Sequence, residues 1–493
     1  MHPRKLVRDS LGVALSSYLI RAVVLARGVV AAAVLGPRGY GGWNALNLLL
    51  DYGSYAPGGA LQGLDLELPG ALAHVAPRDL PARARALLGG AWWAVALGGA
   101  LFAAGVIAAV ASGHPAMARE LGWAPVLLVL AAGLLQLAIQ VHLAVLKARG
   151  QFGSVSRASA LQVVAGGGLG ITLVWRFGLV GLLVGWLAGT ALALALVRRA
   201  APVPLAPFEP AAGRALVQAG FPVFAFFGAS LVLRSVDRLA LIRHGDAVTL
   251  GHYSLGLLAT GLVLYLPEAA ASVLYPRVAA AGAAEDRERV RREVTLAQRA
   301  LAVALPLAVA FALPWAAPLT ATFLPAFRPG LPALHMLAAG ALMLGAATLP
   351  GYYLLALGRA PRLLAWGLAA AALNAALVFG VAARAPRPTP VAAAAAVGYA
   401  VFGIGLVLLA ARALFDRPGA RVAFVVASFV PAFWASALSL GAERLIPSES
   451  WSAALARCAA AVAGYLPVLW WFGRGVGLKR LAREWLAARP APA

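Results

Sequence analysis

The stretch "LVLRSVDRLALI", residues 231–242, sits in an apolar run that begins near Ala215. A run over 215–242 is longer than the roughly 20 residues a helix needs to cross a bilayer, yet it carries Arg234, Asp237 and Arg238. A charge near the bilayer centre costs about 2.5–3.5 kcal/mol on insertion scales. Three charges on one span are retained only when they face protein or water. At about 100° per residue they fall within one face of a helix.

The rest of the chain has the same character. Of its 493 residues 62% are hydrophobic and 12% charged, and the apolar residues come as long runs broken by short polar pieces. About fourteen such runs lie between residues 11 and 473, which predicts an all-α polytopic membrane protein of about 14 transmembrane helices. The formal net charge of +23 does not imply nucleic acid as a partner. A nucleic-acid-binding chain concentrates its basic residues on one face, whereas these are spread over many small loops, as beside membrane spans. The single cysteine, Cys458, excludes an internal disulfide.

Arginine in alternate loops sets the expected orientation. Isolated residues such as Arg38, Arg176 and Arg384 mark one side; runs such as "DRERVRREV" (286–294) mark the other. That pattern is expected to place both termini of a multi-pass protein in the cytoplasm, with "MHPRKLVRDS" leading into an uncleaved first span.

An internal repeat is expected at an offset of 210 residues: Gly41 falls on Gly251, Trp43 on Tyr253, Tyr55 on Tyr265 and Pro57 on Pro267. The repeat divides the chain into an N-terminal six-helix lobe (1–200), a C-terminal six-helix lobe (201–414) and an accessory two-helix segment with a tail (415–493). Parallel six-helix repeats are a transporter architecture. The offset also sets Arg27 opposite Asp237, and the two are expected to pair when the outer side closes.

Polar stripes mark the leading helices of each lobe. In a second span read as 42–62, Asn44, Asn47, Asp51, Ser54 and Tyr55 recur at helical spacing. The eighth span carries Tyr265 and Glu268, and the first carries Arg21 and Arg27. The expected cavity-lining, substrate-binding set is therefore Arg21, Arg27, Asn44, Asn47, Asp51, Tyr55, Arg234, Asp237, Arg238 and Glu268, with Pro57 and Pro267 as hinges. Gln136 and Gln162 are expected to tie helices together.

Enzyme chemistry is not expected. The histidines are scattered singly, without metal-ligand spacing, and no GxxxxGK[ST] loop is present. No cofactor is expected beyond Na⁺ or H⁺ coupling, for which Asp51, Asp237 and Glu268 are the candidate carboxylates.

"LGPRGYGGW" (35–43) and "VDRLALIRHGDAVTLGHYSLGLLATGLVLYLPEAAASVLYPRV" (236–278) resemble the oligosaccharide or O-antigen (Wzx-like) flippase family of the MOP superfamily. The resemblance implies two pseudo-symmetric six-helix lobes forming a V, plus the C-terminal helix pair. It also implies a flippase that moves a polyprenyl-diphosphate-linked oligosaccharide to the outer leaflet by alternating access, for cell-surface polysaccharides such as lipopolysaccharide. Its implied partners are that lipid-linked substrate, membrane lipids, and glycan polymerase or glycosyltransferase machinery. Two alternatives stay open: a lipid II flippase, and a MATE-type ion-coupled exporter of small molecules.

Overall fold

The computed structural model describes residues 3–73, 80–113, 120–203, 207, 209–283, 286–447 and 449–473, without the side chains of 3–22, 272–273, 275–277, 279–283 and 360. Every regular element among them is helical. The chain forms two compact units, Met1–Gly251 and His252–Ala493.

The first unit holds α1 (Pro3–Gly53), α2 (Ala60–Ala71), α3 (Ala82–Ala111), α4 (Trp123–Ala148), α5 (Phe152–Ala200), α6 (Pro210–Leu233), α7 (Val236–His244) and the start of α8 (Ala247–Ala283). Helix α5 has 49 residues, about 74 Å at 1.5 Å per residue, more than twice the roughly 30 Å of a bilayer core. It doubles back at Gly178, whose φ of 55° and ψ of −135° leave the helical region. A methyl placed on Gly181 would lie 2.3 Å from the Leu173 carbonyl oxygen, and one on Gly189 would lie 2.5 Å from that of Gln162. The two halves therefore run side by side, antiparallel. Helix α1 breaks in the same way at Gly36, which brings the Arg27 guanidinium within 5.3 Å of the Trp43 ring centre. The described residues contain 12 helices long and apolar enough to span a membrane. With α1 and α5 each counted as two crossings, the expected fourteen are present.

Two spans expected to be continuous are broken. The second, read as one helix over 42–62, leaves helical geometry between Ser54 and Gly59. Pro57 lacks an N–H to continue the ladder, and Gly58 and Gly59 take left-handed φ values of 61° and 102°. The seventh, read over 215–242, stops at Leu233 and restarts at Val236 as α7. Both breaks lie in the first unit, where α6 packs against α2 and α3. By the sequence repeat the boundary falls at residue 200; by packing it falls at Gly251.

Leu64, Leu68, Leu88, Leu146 and Leu216 are fully buried and form one core joining α2, α3, α4 and α6. Gln162 on α5 donates to Gln136 on α4 at 2.6 Å and to Thr190 at 3.2 Å, the interhelical link its position called for.

The second unit continues α8 and adds α9 (Arg287–Ala312), α10 (Ala316–Phe323), α11 (Leu331–Ala356), α12 (Ala360–Arg384), α13 (Pro388–Leu414), α14 (Pro418–Leu445) and α15 (Trp451–Gly473). Helices α11 and α13 approach so closely that a methyl on Gly403 would meet the Met343 carbonyl oxygen at 2.4 Å; small residues permit such contact between membrane helices. The final pair, α14 and α15, packs on α9 through Val303, Ala310, Ala435, Ala461 and Tyr465. The Tyr465 hydroxyl donates to the Val303 carbonyl at 3.0 Å.

Candidate functional site

The broken second and seventh spans lie against each other. A methyl on Gly220 of α6 would sit 2.0 Å from the Gly59 carbonyl oxygen, and one on Gly63 of α2 would sit 2.0 Å from that of Leu216. Glycine at these points lets the two backbones touch. One turn further along, the Tyr55 ring packs 5.8 Å from Phe224, centre to centre.

Each break strands backbone groups that a continuous helix would satisfy, and each is closed by a serine. Ser54 Oγ donates to the Asp51 carbonyl at 2.7 Å, at the end of α1. Ser235 Oγ donates to the Leu231 carbonyl at 2.6 Å, at the end of α6. With its proton so used, Ser235 Oγ accepts from the Tyr52 hydroxyl at 2.8 Å, a bond that ties the two broken spans together. Asp237 falls in the first turn of α7. It is fully buried, and its carboxylate accepts from the Arg238 backbone N–H at 2.7 Å, at the helix end where a negative charge is stabilised. The Arg238 guanidinium reaches Asp51 at 3.6 Å; the Arg238 side chain is 14% exposed and that of Asp51 is 49% exposed. The Nε of Arg238 is buried with no hydrogen-bond partner. Arg234 is exposed.

The break at Arg234–Ser235 thus gathers Asp51, Tyr55, Arg234, Asp237 and Arg238 from the expected set. The remaining expected residues are placed as follows. Asn44 is half-buried and donates to the Tyr40 carbonyl at 2.9 Å. Asn47 is half-buried on the same helix. The Arg27 guanidinium lies 5.3 Å from the Trp43 ring centre and 4.8 Å from that of Trp186. Its Nη1 is buried without a hydrogen-bond partner. Arg27 makes no ion pair with Asp237 in this structure; the two indoles hold it instead. The Arg21 side chain lies outside the described residues. Glu268 is exposed on α8 within the second unit. Pro57 occupies the break itself, whereas α8 runs on as a helix through Pro267.

Several participants escaped the sequence pattern: Tyr52, Ser235, Phe224, Trp43, Trp186 and the close-contact glycines. Two signals pointed toward them. "SYAPGG" (54–59) is a breaker cluster, and Ser235 followed by Asp237 is a helix-start pattern.

Chemically, the site offers guanidinium groups and tyrosine hydroxyls at two adjacent helix interruptions. In membrane transporters, discontinuous helices commonly form substrate and ion sites. The formal charges of Asp51, Asp237, Arg234 and Arg238 cancel, so an anion engages Arg238 fully only as Asp51 is displaced or protonated. Among the described residues no group of three His, Cys, Asp or Glu side chains is placed to hold a metal ion.

Residues 85–325 match a family model described as "Polysaccharide biosynthesis protein". No curated protein matches the chain closely. Among solved structures, the lipid II flippase MurJ in an inward closed conformation superposes with a TM-score of 0.70 at 14% identity, covering 94% of this chain and 99% of MurJ. A multidrug resistance MATE family transporter of the MOP superfamily, inward-facing, gives 0.59 at 17% identity, covering 80% of this chain and 94% of its own. A MOP superfamily transporter from Pyrococcus furiosus gives 0.52 at 18% identity, covering 83% and 95%. By family model over its middle and by fold over nearly its whole length, this chain is a multi-pass membrane protein with the fold of the MOP-superfamily transporters.

Proposed function

We propose that the protein is a flippase that carries a polyprenyl-diphosphate-linked oligosaccharide from the inner to the outer leaflet of the bacterial cytoplasmic membrane, by alternating access, for cell-surface polysaccharide assembly. The observation that carries this reading is Arg238 at the paired helix breaks, with a buried Nε lacking a partner among the described residues and the half-exposed Asp51 at ion-pair distance. Guanidinium groups bind phosphate oxygens in a bidentate fork. The match to a polysaccharide biosynthesis family model supports a glycan-bearing substrate.

In this account Arg238 and Arg234 engage the diphosphate, while Tyr55, Asn44 and Asn47 face the sugars. Asp51 is the coupling group: a proton taken up by its carboxyl releases Arg238 to the substrate, and loss of that proton restores the pair and expels the substrate. Both termini lie in the cytoplasm, and the glycosyltransferases that complete the saccharide work on that side.

A second reading, a lipid II flippase, is favoured by the superposition on MurJ. Deletion of the gene followed by mass spectrometry of lipid-linked saccharides separates the two. The oligosaccharide reading expects a completed polyprenyl-diphosphate oligosaccharide to accumulate on the cytoplasmic leaflet while lipid II stays at its normal level. Accumulation of lipid II alone assigns the second reading instead.

A further inference from the structure

A second cationic site lies in the second unit, apart from the helix breaks. Where α9 begins and the α13–α14 turn passes, a cavity of about 870 Å³ opens between Arg291, Arg292, Arg299 and Arg417. Arg291 is neutralised by Glu288 at 2.7 Å. Among the described residues, Arg292, Arg299 and Arg417 have no carboxylate within ion-pair distance, and Asp416 is the other acid on the cavity wall. Thr295, on the same wall, has a buried hydroxyl with no hydrogen-bond partner.

The walls are held in place. Arg421 Nε donates to the Phe415 carbonyl at 2.7 Å, fixing the turn. Gln298 on α9 donates to the Ser428 hydroxyl on α14 at 3.2 Å, fixing the two helices. Among the described residues, three guanidiniums on a fixed frame, with the single unpaired carboxylate of Asp416 on the same wall, leave a net positive cavity that favours an anion.

The position and the apolar half of the lining give the class of that anion. Leu296, Phe415 and Ala420 complete the wall. Leu296, 40% exposed, gives this rim an open apolar edge on α9. A cationic mouth at the end of membrane helices, with an apolar edge beside it, matches a molecule with a phosphate at one end and an acyl chain at the other. We propose that this cavity binds the headgroup phosphate of an anionic membrane lipid, with Arg292, Arg299 and Arg417 as its ligands and the acyl chain leaving past Leu296 and Phe415. The site stands independently of the substrate proposed above.

The test uses the full-length purified protein in vesicles of dioleoyl phosphatidylcholine, with dioleoyl phosphatidylglycerol added stepwise, and reads thermal unfolding. Phosphatidylglycerol should raise the unfolding temperature of the wild type at a low mole fraction. Arg292→Gln/Arg299→Gln should need roughly fivefold more lipid for each arginine lost, and the double lysine variant should keep part of the response. Arg198→Gln/Arg199→Gln, an exposed basic pair elsewhere, should respond like wild type. Equal unfolding temperatures in pure phosphatidylcholine certify that the variants fold; Arg417→Gln, on the turn, replaces the double variant if it does not. An equal response in wild type and the glutamine variants, or the same loss in the control pair, overturns the proposal. So does stabilisation by inorganic pyrophosphate with none by phosphatidylglycerol, which assigns the cavity to a free anion.

Discussion

Arg238, in the first turn of α7, reaches Asp51, in the last turn of α1, at 3.6 Å, joining two membrane spans at the points where each is interrupted. The pair is unequal. Arg238 is mostly enclosed, while Asp51 is half-exposed, so the carboxylate can be hydrated or replaced far more easily than the guanidinium can leave. That asymmetry suits an exchangeable counter-ion.

Neutralising Asp51 should therefore leave Arg238 permanently available. Asp51→Asn is expected to bind substrate at least as tightly as wild type but to release it slowly, cutting turnover about tenfold, or 1.4 kcal/mol. Binding of a soluble diphosphate sugar and the rate of transbilayer movement measure the two effects separately. Weaker binding together with unchanged turnover would count against Asp51 as the exchanging group.

The approach of α2 to α6 leaves no room at Gly220, where even a methyl would meet the Gly59 carbonyl oxygen at 2.0 Å. Gly220→Val should destabilise the protein by about 1–3 kcal/mol, as overpacking does. Thermal unfolding in detergent would show it as a lower midpoint, whereas Gly228→Val, with open space beside it, should unfold as wild type does. Equal midpoints for the two variants would mean that the helices separate easily at this contact.

These positions show how far the sequence alone could be followed. Hydropathy found the spans because bilayer thickness fixes their length, and the cost of charge in lipid singled out Asp51, Arg234, Asp237 and Arg238. What it missed is geometric. The shared-face assignment assumed an unbroken helix over 215–242, but the break at Arg234–Ser235 makes Asp237 an N-terminal carboxylate of α7, bound to a backbone N–H. Arg27 was matched with Asp237 by repeat offset. Its actual neighbours, Trp43 and Trp186, come together through the folding back of α1 and α5, which no local pattern encodes.

That indole pair makes Arg27 a demanding position. The guanidinium lies over both rings, each cation–π contact contributing about 0.5–2 kcal/mol, and a lysine ammonium does not reproduce the delocalised planar charge. Arg27→Lys should lower transport about tenfold while leaving expression and folding intact. Full activity in the lysine variant would reduce the requirement to charge alone.

Between α7 and α8, Asp246 accepts from the Thr249 backbone N–H at 2.7 Å, and the Thr249 hydroxyl and N–H hold its carboxyl below the usual carboxylate range. A carboxyl with a depressed folded pKa stabilises the fold above the ordinary carboxylate range and loses that contribution as pH falls through its folded value. Asp246→Ala should cost about 0.5–1 kcal/mol at neutral pH, the lower part of the range for an N-terminal cap because the group is exposed. The difference in unfolding temperature between wild type and variant should shrink steadily as pH drops below about 4. A constant difference down to pH 3 would show that the charge of Asp246 contributes nothing.

In the proposed function, the interrupted spans of the first unit carry a diphosphate-linked glycan through Arg238. The direct measurement places purified protein in proteoliposomes with a fluorescent polyprenyl-diphosphate oligosaccharide and follows its bleaching by an impermeant reductant. Wild type should expose nearly all of the inner-leaflet label, and Arg238→Gln, folded to the same unfolding temperature, should do so at least about tenfold more slowly. Equal rates for the two proteins, or no movement of the label by wild type, would contradict the account.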